Sequence, residues 1–449
     1  MSERLSNAVD DLDRKLIENH RSNTELFALL DERQRELGIL SDDRPFAPFL
    51  RPQFFSRRMY DEIAHASEVL AAAFDRMTIA ALADDKILAE LSLTETEERF
   101  ARIDPGYAEV CNSSRLDAFV AGDDFKFLEY NGETPAGITD QLQIEKVLKN
   151  VPEVQKFLKE NEHWLPKPHV KLLGALVSAY RDFGGRKEKP NIAIVDWKGV
   201  STFTEFITLQ EYFESEGYDT LIADPGELEY DGEILRVGEF EVDIFYKRVL
   251  IHEFFERTVD DHPFRLAYAD GNVCMCNSFR SKIPHKKASF AVVGSEKYAH
   301  LFSDRQLEMI RKHLPWTRLI SDREAKYDGK PVDLLEFIRE GRERFILKPN
   351  DDYGGSGIVI GWESTPSEWD GAIENALNEP FVVQERAAVD KVNFPSYSSE
   401  AKMEELLIDF DPFIFRGKVE GGLVRLSPQT LVNVAAGGGE AAMVVWKDM

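Results

Sequence analysis

Apolar residues recur at helical spacing near the start of the chain. Leu12, Leu16, Leu26, Leu30 and Leu37 stand among charged positions over 8–38, which predicts one or two amphipathic helices. Residues 58–100 continue as helix through EVLAAAFDRMTIAALADDKILAEL. From about 107 the period shortens to two. SRLDAFVAGDDFKFLEYNGETPAG alternates apolar and polar residues about a Gly-Asp-Asp turn, predicting a hairpin that runs into a Gly/Pro loop. Beyond it, KLLGALVSAYRDFGG and TEFITLQEYFESEGYDT read as helices, and NIAIVDWKG (191–199), LIADP and EVDIFYKRVLI as strands. Strands this apolar, alternating with helices, predict a parallel sheet covered on both faces over about 165–280. Residues 286–345 read as a further mix of helices. The segment 345–449 is a run of strands with one helix near 367–378, and FPSYSSEAKMEE (394–405) reads as a flexible surface loop. No internal repeat or low-complexity segment stands out.

Composition narrows the classes. The chain has 449 residues, 43% hydrophobic and 30% charged, enough for two or three domains with a buried core. A formal charge of -26 without a long Lys/Arg run argues against nucleic acid and anionic membranes, and leaves small molecules as partners. No window is apolar enough for a membrane-spanning helix, and the opening MSERLSNAVDDLDRK is too polar and acidic for a signal peptide. The three cysteines, Cys111, Cys274 and Cys276, form no disulfide framework, so a cytoplasmic protein is expected. Cys274 and Cys276 lack a second Cys or His pair and read as buried thiols rather than zinc ligands.

The candidate chemistry is concentrated in FILKPNDDYGGSGIVIGWE (345–363). Strand residues follow the glycines and the lysine precedes them, which excludes both G-x-x-x-x-G-K-[ST] and G-x-G-x-x-G opening a helix. A strand–glycine turn–strand hairpin remains. Gly354, Gly355 and Gly357 would let backbone N–H groups approach phosphate oxygens, with Lys348 as a point charge at the base. Downstream, PFVVQERAAVD ends a strand at Gln384-Glu385. Asp409 and Asn433 on later strands could supply the few hard oxygens that magnesium takes alongside phosphates.

In this order the motifs resemble the ATP-grasp superfamily of ATP-dependent carboxylate–amine ligases over roughly 285–445, in the family's usual, unpermuted order. The resemblance implies ATP held by Lys287 (with Lys286 competing), Lys348, the glycine loop, Gln384 and Glu385. It also implies Mg2+ on Asp409 and Asn433, and NVAAGGG looks like the final family motif. Leu431 stands where an acidic ligand is common and Asp411 where an arginine is common, so Asp411 competes as a ligand. The earlier pattern SRLDAF…FLEYNGETPAG resembles the pre-ATP-grasp segment of glutathionylspermidine synthase-like proteins, ligase half only. It would place Arg115, Asp117, Glu129, Asn131 and Thr134 at the substrate site.

The fold so implied is α/β: an N-terminal helical region (1–105), a pre-ATP-grasp parallel-sheet domain (106–280) and a two-lobed ATP-grasp domain (281–449). The implied reaction joins an acid and an amine through an acyl phosphate, releasing ADP and phosphate, with Arg425 or Arg416 stabilising the transferring group. A homodimer is compatible with the resemblance. Two other readings stay open: a small-molecule kinase with the same ATP site, and a nucleotide-binding protein without catalysis.

Overall fold

The structure, a computed structural model, describes residues 3–447 except 42, 353, 433, 435 and 436. Helices α1 (Glu3–His20) and α2 (Thr24–Glu36) form where the apolar spacing predicts them. Asn23 caps α2 by accepting from Leu26 N–H. Their apolar faces, with Leu5, Leu12, Leu16, Phe27 and Leu30, share one core with Val444 and Trp446 from the far end of the chain. Helix α3 (Arg57–Ala83) buries Ile63, Leu70, Phe74 and Met77 beneath a hairpin of β1 (Ser113–Ala121) and β2 (Asp124–Asn131). Gly122 makes the turn at φ 63, a conformation that glycine adopts without strain.

Next come α4 (Asp140–Leu148), α5 (Pro168–Asp182), β3 (Ile192–Val195), α6 (Phe203–Ser215), β4 (Thr220–Ala223), β5 (Ile244–Lys247) and β6 (Cys274–Cys276). The four strands form the expected parallel sheet in the order β6-β5-β3-β4. Both faces are covered. Ile192, Ile194 and Ile244 meet Leu172, Leu176, Phe206 and Phe213, while Ala193, Val195 and Phe245 meet Phe254 and Phe264. This is why β3 and β5 are buried at every position. All three cysteines are buried and unpaired.

Short helices α7 (Lys282–His285) and α8 (Ala288–Val293) lead to a second sheet. It contains β7 (Thr317–Leu319), β8 (Phe345–Pro349), β9 (Val359–Ile360) and, after α9 (Pro366–Ala376), β10 (Phe381–Glu385), in the antiparallel order β7-β10-β8-β9. The glycine segment is the β8–β9 hairpin, with Ile346 opposite Ile360 and Leu347 opposite Val359. Then come β11 (Lys391–Tyr397), β12 (Ala401–Phe415), β13 (Lys418–Ser427) and β14 (Gly439–Glu440), and a last strand, β15 (Met443–Trp446), pairs with residues 53–56 and 163–164.

Two expectations change here. Residues 394–405 are not a loose loop: they are the tight end of the β11–β12 hairpin, where Lys391 to Tyr397 pair with Leu407 to Ala401. Phe394 and Tyr397 are buried there against Phe49 and Phe27. Phe394 to Tyr397 are buried in succession, and the polar residues that suggested a loop are the exposed 398–400 and the outward positions at the start of β12. Second, β12 pairs with β1, Asp409 opposite Phe119 and Phe413 opposite Arg115. One antiparallel sheet, β14-β13-β12-β1-β2, therefore crosses the expected boundary at 280.

Gly361, just after the glycine hairpin, is a tight spot. A Cβ there would lie 2.0 Å from the Arg342 carbonyl oxygen and 2.7 Å from that of Phe345. Both contacts are backbone, so they cannot swing aside. Gly361→Ala is expected to destabilise the protein by about 1–3 kcal/mol in chemical denaturation.

Candidate active site

The large sheet builds the site by register. On the hairpin, Arg115 lies opposite Asn131 and Asp117 opposite Glu129. On the later strands Asp409 lies opposite Arg425, and Arg425 in turn opposite Glu440. Residues two apart on a strand share a face, so these pairs put a row of charges on one side of the sheet. Arg425 sits at its centre, with Nη2 2.6 Å from Asp409 Oδ2, 2.9 Å from Asp117 Oδ2 and 2.9 Å from Asp411 Oδ2. Arg115 grips Asp117 in a fork at 2.8 and 3.1 Å, and Asn131 Nδ2 donates to Asp117 Oδ1 at 2.9 Å. Burial opposes ionisation of Asp117, but the two arginines outweigh it and hold its pKa at about 2. Burial wins at Asp409, pushed up to about 6, and at Asp411, pushed well above its ordinary range.

The second sheet faces this row. Lys348 Nζ donates to Gln384 Oε1 at 2.8 Å and to the Leu128 carbonyl at 3.3 Å. Lys287 Nζ lies 3.2 Å from Glu129 Oε1 and donates to the Asp352 carbonyl at 2.6 Å. Two lysines thus converge near one carboxylate. Burial, helped by Lys287, pulls Lys348 down to about 8 although Glu129 opposes the shift. Burial works against a charged Glu129, and the lysines outweigh it.

Lys286 is not part of this group. Its ammonium is spent on Glu97 at 3.0 Å and Asp351 at 2.6 Å. Lys282 is wholly buried between Glu133 at 2.7 Å and Asp351 at 2.5 Å. This network anchors the root of the glycine loop: Lys287 N–H donates to the Asn350 carbonyl and Ala288 N–H to Asn350 Oδ1. Glu133, His285 and Asp351 are close enough to hold a cation, but the Lys282 ammonium already occupies that position.

Between the sheets lies a cavity of about 1360 Å³. It brings together residues the sequence singled out far apart: Arg115, Asp117, Glu129, Asn131, Thr134, Lys348, Gly354, Gly355, Gln384, Glu385, Asp409 and Arg425 all line it. Gly354 and Gly355, at φ 66 and 80, keep the loop in the left-handed region. Gly357 does not line the cavity; a Cβ there would meet Pro349 at 2.7 Å, so its smallness serves the hairpin's own packing.

Arg416 and Asp411 stand away from the cavity lining, as does Lys287. Arg416 stands in the β12–β13 turn at φ 47, bound to Asn112, Glu109 and Asp182, and does not line the cavity. Its two acidic partners lie more than two hundred residues away in sequence, which a motif reading cannot see. Asp411 is 0% exposed, accepts the Ala118 N–H and lies behind Arg425 rather than facing the cavity. Asn433 lies outside the described residues.

No protein-family model matches the chain. A Frankia alni protein provisionally named glutamate–cysteine ligase 2-3 is 24% identical over 333 residues, 70% of this chain and 36% of that protein. An uncharacterized Mycobacterium tuberculosis protein is 24% identical over 211 residues, 45% of this chain and 36% of that protein. The chain thus spans about a third of the length of these curated relatives. Among solved structures, a glutathione synthetase-like effector from Globodera pallida, in its apo form, superposes with a TM-score of 0.59 at 13% identity, over 94% of this chain and 96% of that one. The chain shares that effector's fold. No helix among the described residues is long and apolar enough to cross a membrane.

Several cavity residues escaped the sequence reading. Asp140, Asp196, Glu205, Arg248, His285 and Glu440 also line it. Two carried a signal: Asp196 directly follows the wholly buried strand β3, and Arg248 the wholly buried strand β5. Polar residues directly after apolar strands sit where α/β proteins place ligands.

The cavity also selects among donors for magnesium. Both Asp409 oxygens already accept from Arg425, through Nε, Nη2 and the backbone N–H. Glu129 has Lys287 as its ion-pair partner at 3.2 Å. Asn131 spends its amide N–H on Asp117, which leaves its carbonyl oxygen for a ligand. Asp117, like Asp409, has both oxygens taken up by arginines, so Glu129 and the Asn131 carbonyl are the hard oxygens of the kind magnesium takes when phosphates complete its shell.

Proposed function

We propose that the protein is an ATP-dependent carboxylate–amine ligase of ATP-grasp type. One observation carries the reading: Lys348 and a glycine hairpin from one sheet, with Lys287 paired to Glu129 nearby, face a carboxylate–amide–arginine row from another sheet across a large cavity. A buried lysine and a glycine loop on one wall suit polyphosphate, and hard oxygens on the other suit the metal that accompanies it. The fold shared with a glutathione synthetase-like protein and the provisional name of the Frankia relative support the amide-forming class.

In this reading Lys348 and Lys287 neutralise the phosphate oxygens of ATP. Gln384 fixes Lys348, and Glu385, held by the Tyr327 hydroxyl at 2.6 Å, lies toward the base. Magnesium, held by Glu129 and Asn131, would supply positive charge against the phosphates. An oxygen of the substrate carboxylate attacks the γ-phosphorus, ADP leaves, and an acyl phosphate results. Arg425 faces the cavity as the arginine placed to offset charge on the transferring group. The glycine hairpin covers the site and keeps water from the acyl phosphate. Substrates are a small-molecule acid and amine.

Thermal unfolding with magnesium and ATP, ADP or GTP tests this. A rise in the midpoint that requires both magnesium and an adenine nucleotide is expected, on the order of 2.7 kcal/mol of stabilisation at a hundredfold excess over Kd. ADP release across a panel of amino acids and amines then identifies the substrates. No magnesium-dependent rise with any nucleotide would overturn the reading.

A further inference from the structure

On the wall of the same cavity, two carboxyl groups touch. Asp140 opens α4, and Glu440 lies on β14 opposite Arg425. They hydrogen-bond carboxyl to carboxyl. Two carboxylates can do so only by sharing a proton. Among the described residues no donor reaches Glu440 Oε2, although Glu440 is 6% exposed. Glu205 adds a third carboxylate to the same wall. It is neutralised by Arg248 Nη2 at 3.2 Å and accepts from the Gly137 and Ile138 N–H groups.

A second feature points to a ligand. Arg248 is 4% exposed and lines the cavity, yet its Nε–H has no acceptor among the described residues. The Thr134 hydroxyl, on the same loop as the Pro135 carbonyl that takes Arg248 Nη1, is also without a partner among them. A buried guanidinium N–H left unpaired is unfavourable unless a bound molecule completes it. The wall therefore presents a proton-sharing carboxyl pair beside two donors waiting for an oxygen.

We propose that this wall is the docking site of the acceptor amine, which enters as an ammonium ion carrying a hydrogen-bond-accepting oxygen, and that the Asp140–Glu440 pair is the proton acceptor for amide formation. The inference rests on the ligase reading and deepens it. Docking of the ammonium displaces the shared proton to solvent, leaving two carboxylates against one cation. The pair then takes one N–H proton. The freed nitrogen lone pair forms the N–C bond to the acyl carbon, the C–O bond to phosphate breaks with its electron pair going to phosphate, and the second N–H proton leaves on that phosphate. Glu440 is one strand from Arg425, so the nitrogen is delivered beside the charge row.

The surroundings set the pH dependence. Burial, then Glu205, pushes Asp140 up to about 7, against Arg115 and Arg248. Burial, then Asp140, pushes Glu440 well up, against Arg425 and Arg115. These folded-state values exceed the unfolded ones, so the shared proton is held at low pH and lost as pH rises. Ammonium binding must strengthen over the same range.

The probe is γ-aminobutyramide, whose ammonium, like that of lysine, stays charged near neutrality and whose amide carbonyl supplies the oxygen. Butyramide is the control without the ammonium. Thermal unfolding is followed without nucleotide. γ-Aminobutyramide is expected to raise the wild-type midpoint by about 2 °C at tenfold saturation. The rise should grow between about pH 6 and pH 8, and butyramide should leave the midpoint in place. Asp140→Asn and Glu440→Gln keep shape and hydrogen bonding, and each should lose most of the rise and all of its pH dependence. An equal effect of butyramide, an unchanged effect in both variants, or no effect on the wild type would overturn the proposal. No amine effect beside an intact ATP–magnesium effect removes this site alone. An amine effect without the ATP–magnesium effect removes the ligase reading and leaves the ammonium site standing.

Discussion

Arg425→Leu is expected to lower stability by about 3–5 kcal/mol, because it strips the shared partner from three buried carboxylates while leaving them buried. Asp409 and Asp411 are 1% and 0% exposed, and each has Arg425 as its ion-pair partner among the described residues. Asp117 keeps its fork to Arg115 and loses less. The loss should depend on pH in a defined direction. Burial already pushes Asp409 up to about 6 with the arginine in place. Without it both carboxyls titrate higher still, so the penalty is largest at alkaline pH and shrinks as acid protonates them. Guanidinium denaturation of wild type and variant at two pH values checks this, and adding Asp409→Asn should restore part of the loss. A variant as stable as wild type at high pH would show that the three carboxylates do not depend on Arg425.

Lys348→Met should act in the opposite sense on stability and far more strongly on function. Burial holds Lys348 down to about 8, with Lys287 adding repulsion, so its charge is disfavoured in the folded protein relative to water. Replacing it with an apolar side chain of similar length should raise the melting midpoint in the absence of nucleotide. The sign follows from linkage: the folded value is depressed from 10.5, so the penalty is fully present below about pH 8 and disappears as pH rises toward the ordinary lysine range. The same variant should lose the ATP–magnesium stabilisation and drop turnover by about 10²–10³-fold, the size of effect for one preorganised electrostatic contact to a developing charge. Unchanged ATP-dependent stabilisation would move the nucleotide away from the glycine hairpin. A protein that is more stable yet unable to bind nucleotide would identify Lys348 as a residue kept for its ligand rather than for the fold.

Much of the fold was legible in the order of residues. The amphipathic spacing of Leu12, Leu16, Leu26 and Leu30 specified two helices, and the apolar run Ile192–Val195 a strand buried on both faces. The alternation around Gly122 specified a hairpin, and Lys348 with the glycines a strand–turn–strand unit. Each depends on contacts within a few residues or on the period of burial, which local sequence encodes directly. The tertiary structure decided the rest. It joined β1 to β12 across nearly three hundred residues of chain. It spent Lys286 on Glu97 and Asp351 while leaving Lys287 beside Glu129. It turned Arg416 toward Glu109 and Asp182, buried Asp411 behind Arg425, and brought Asp140 against Glu440. Which charge faces a cavity and which is consumed in the wall depends on partners far away in sequence, and on a desolvation that exists only once those partners have packed.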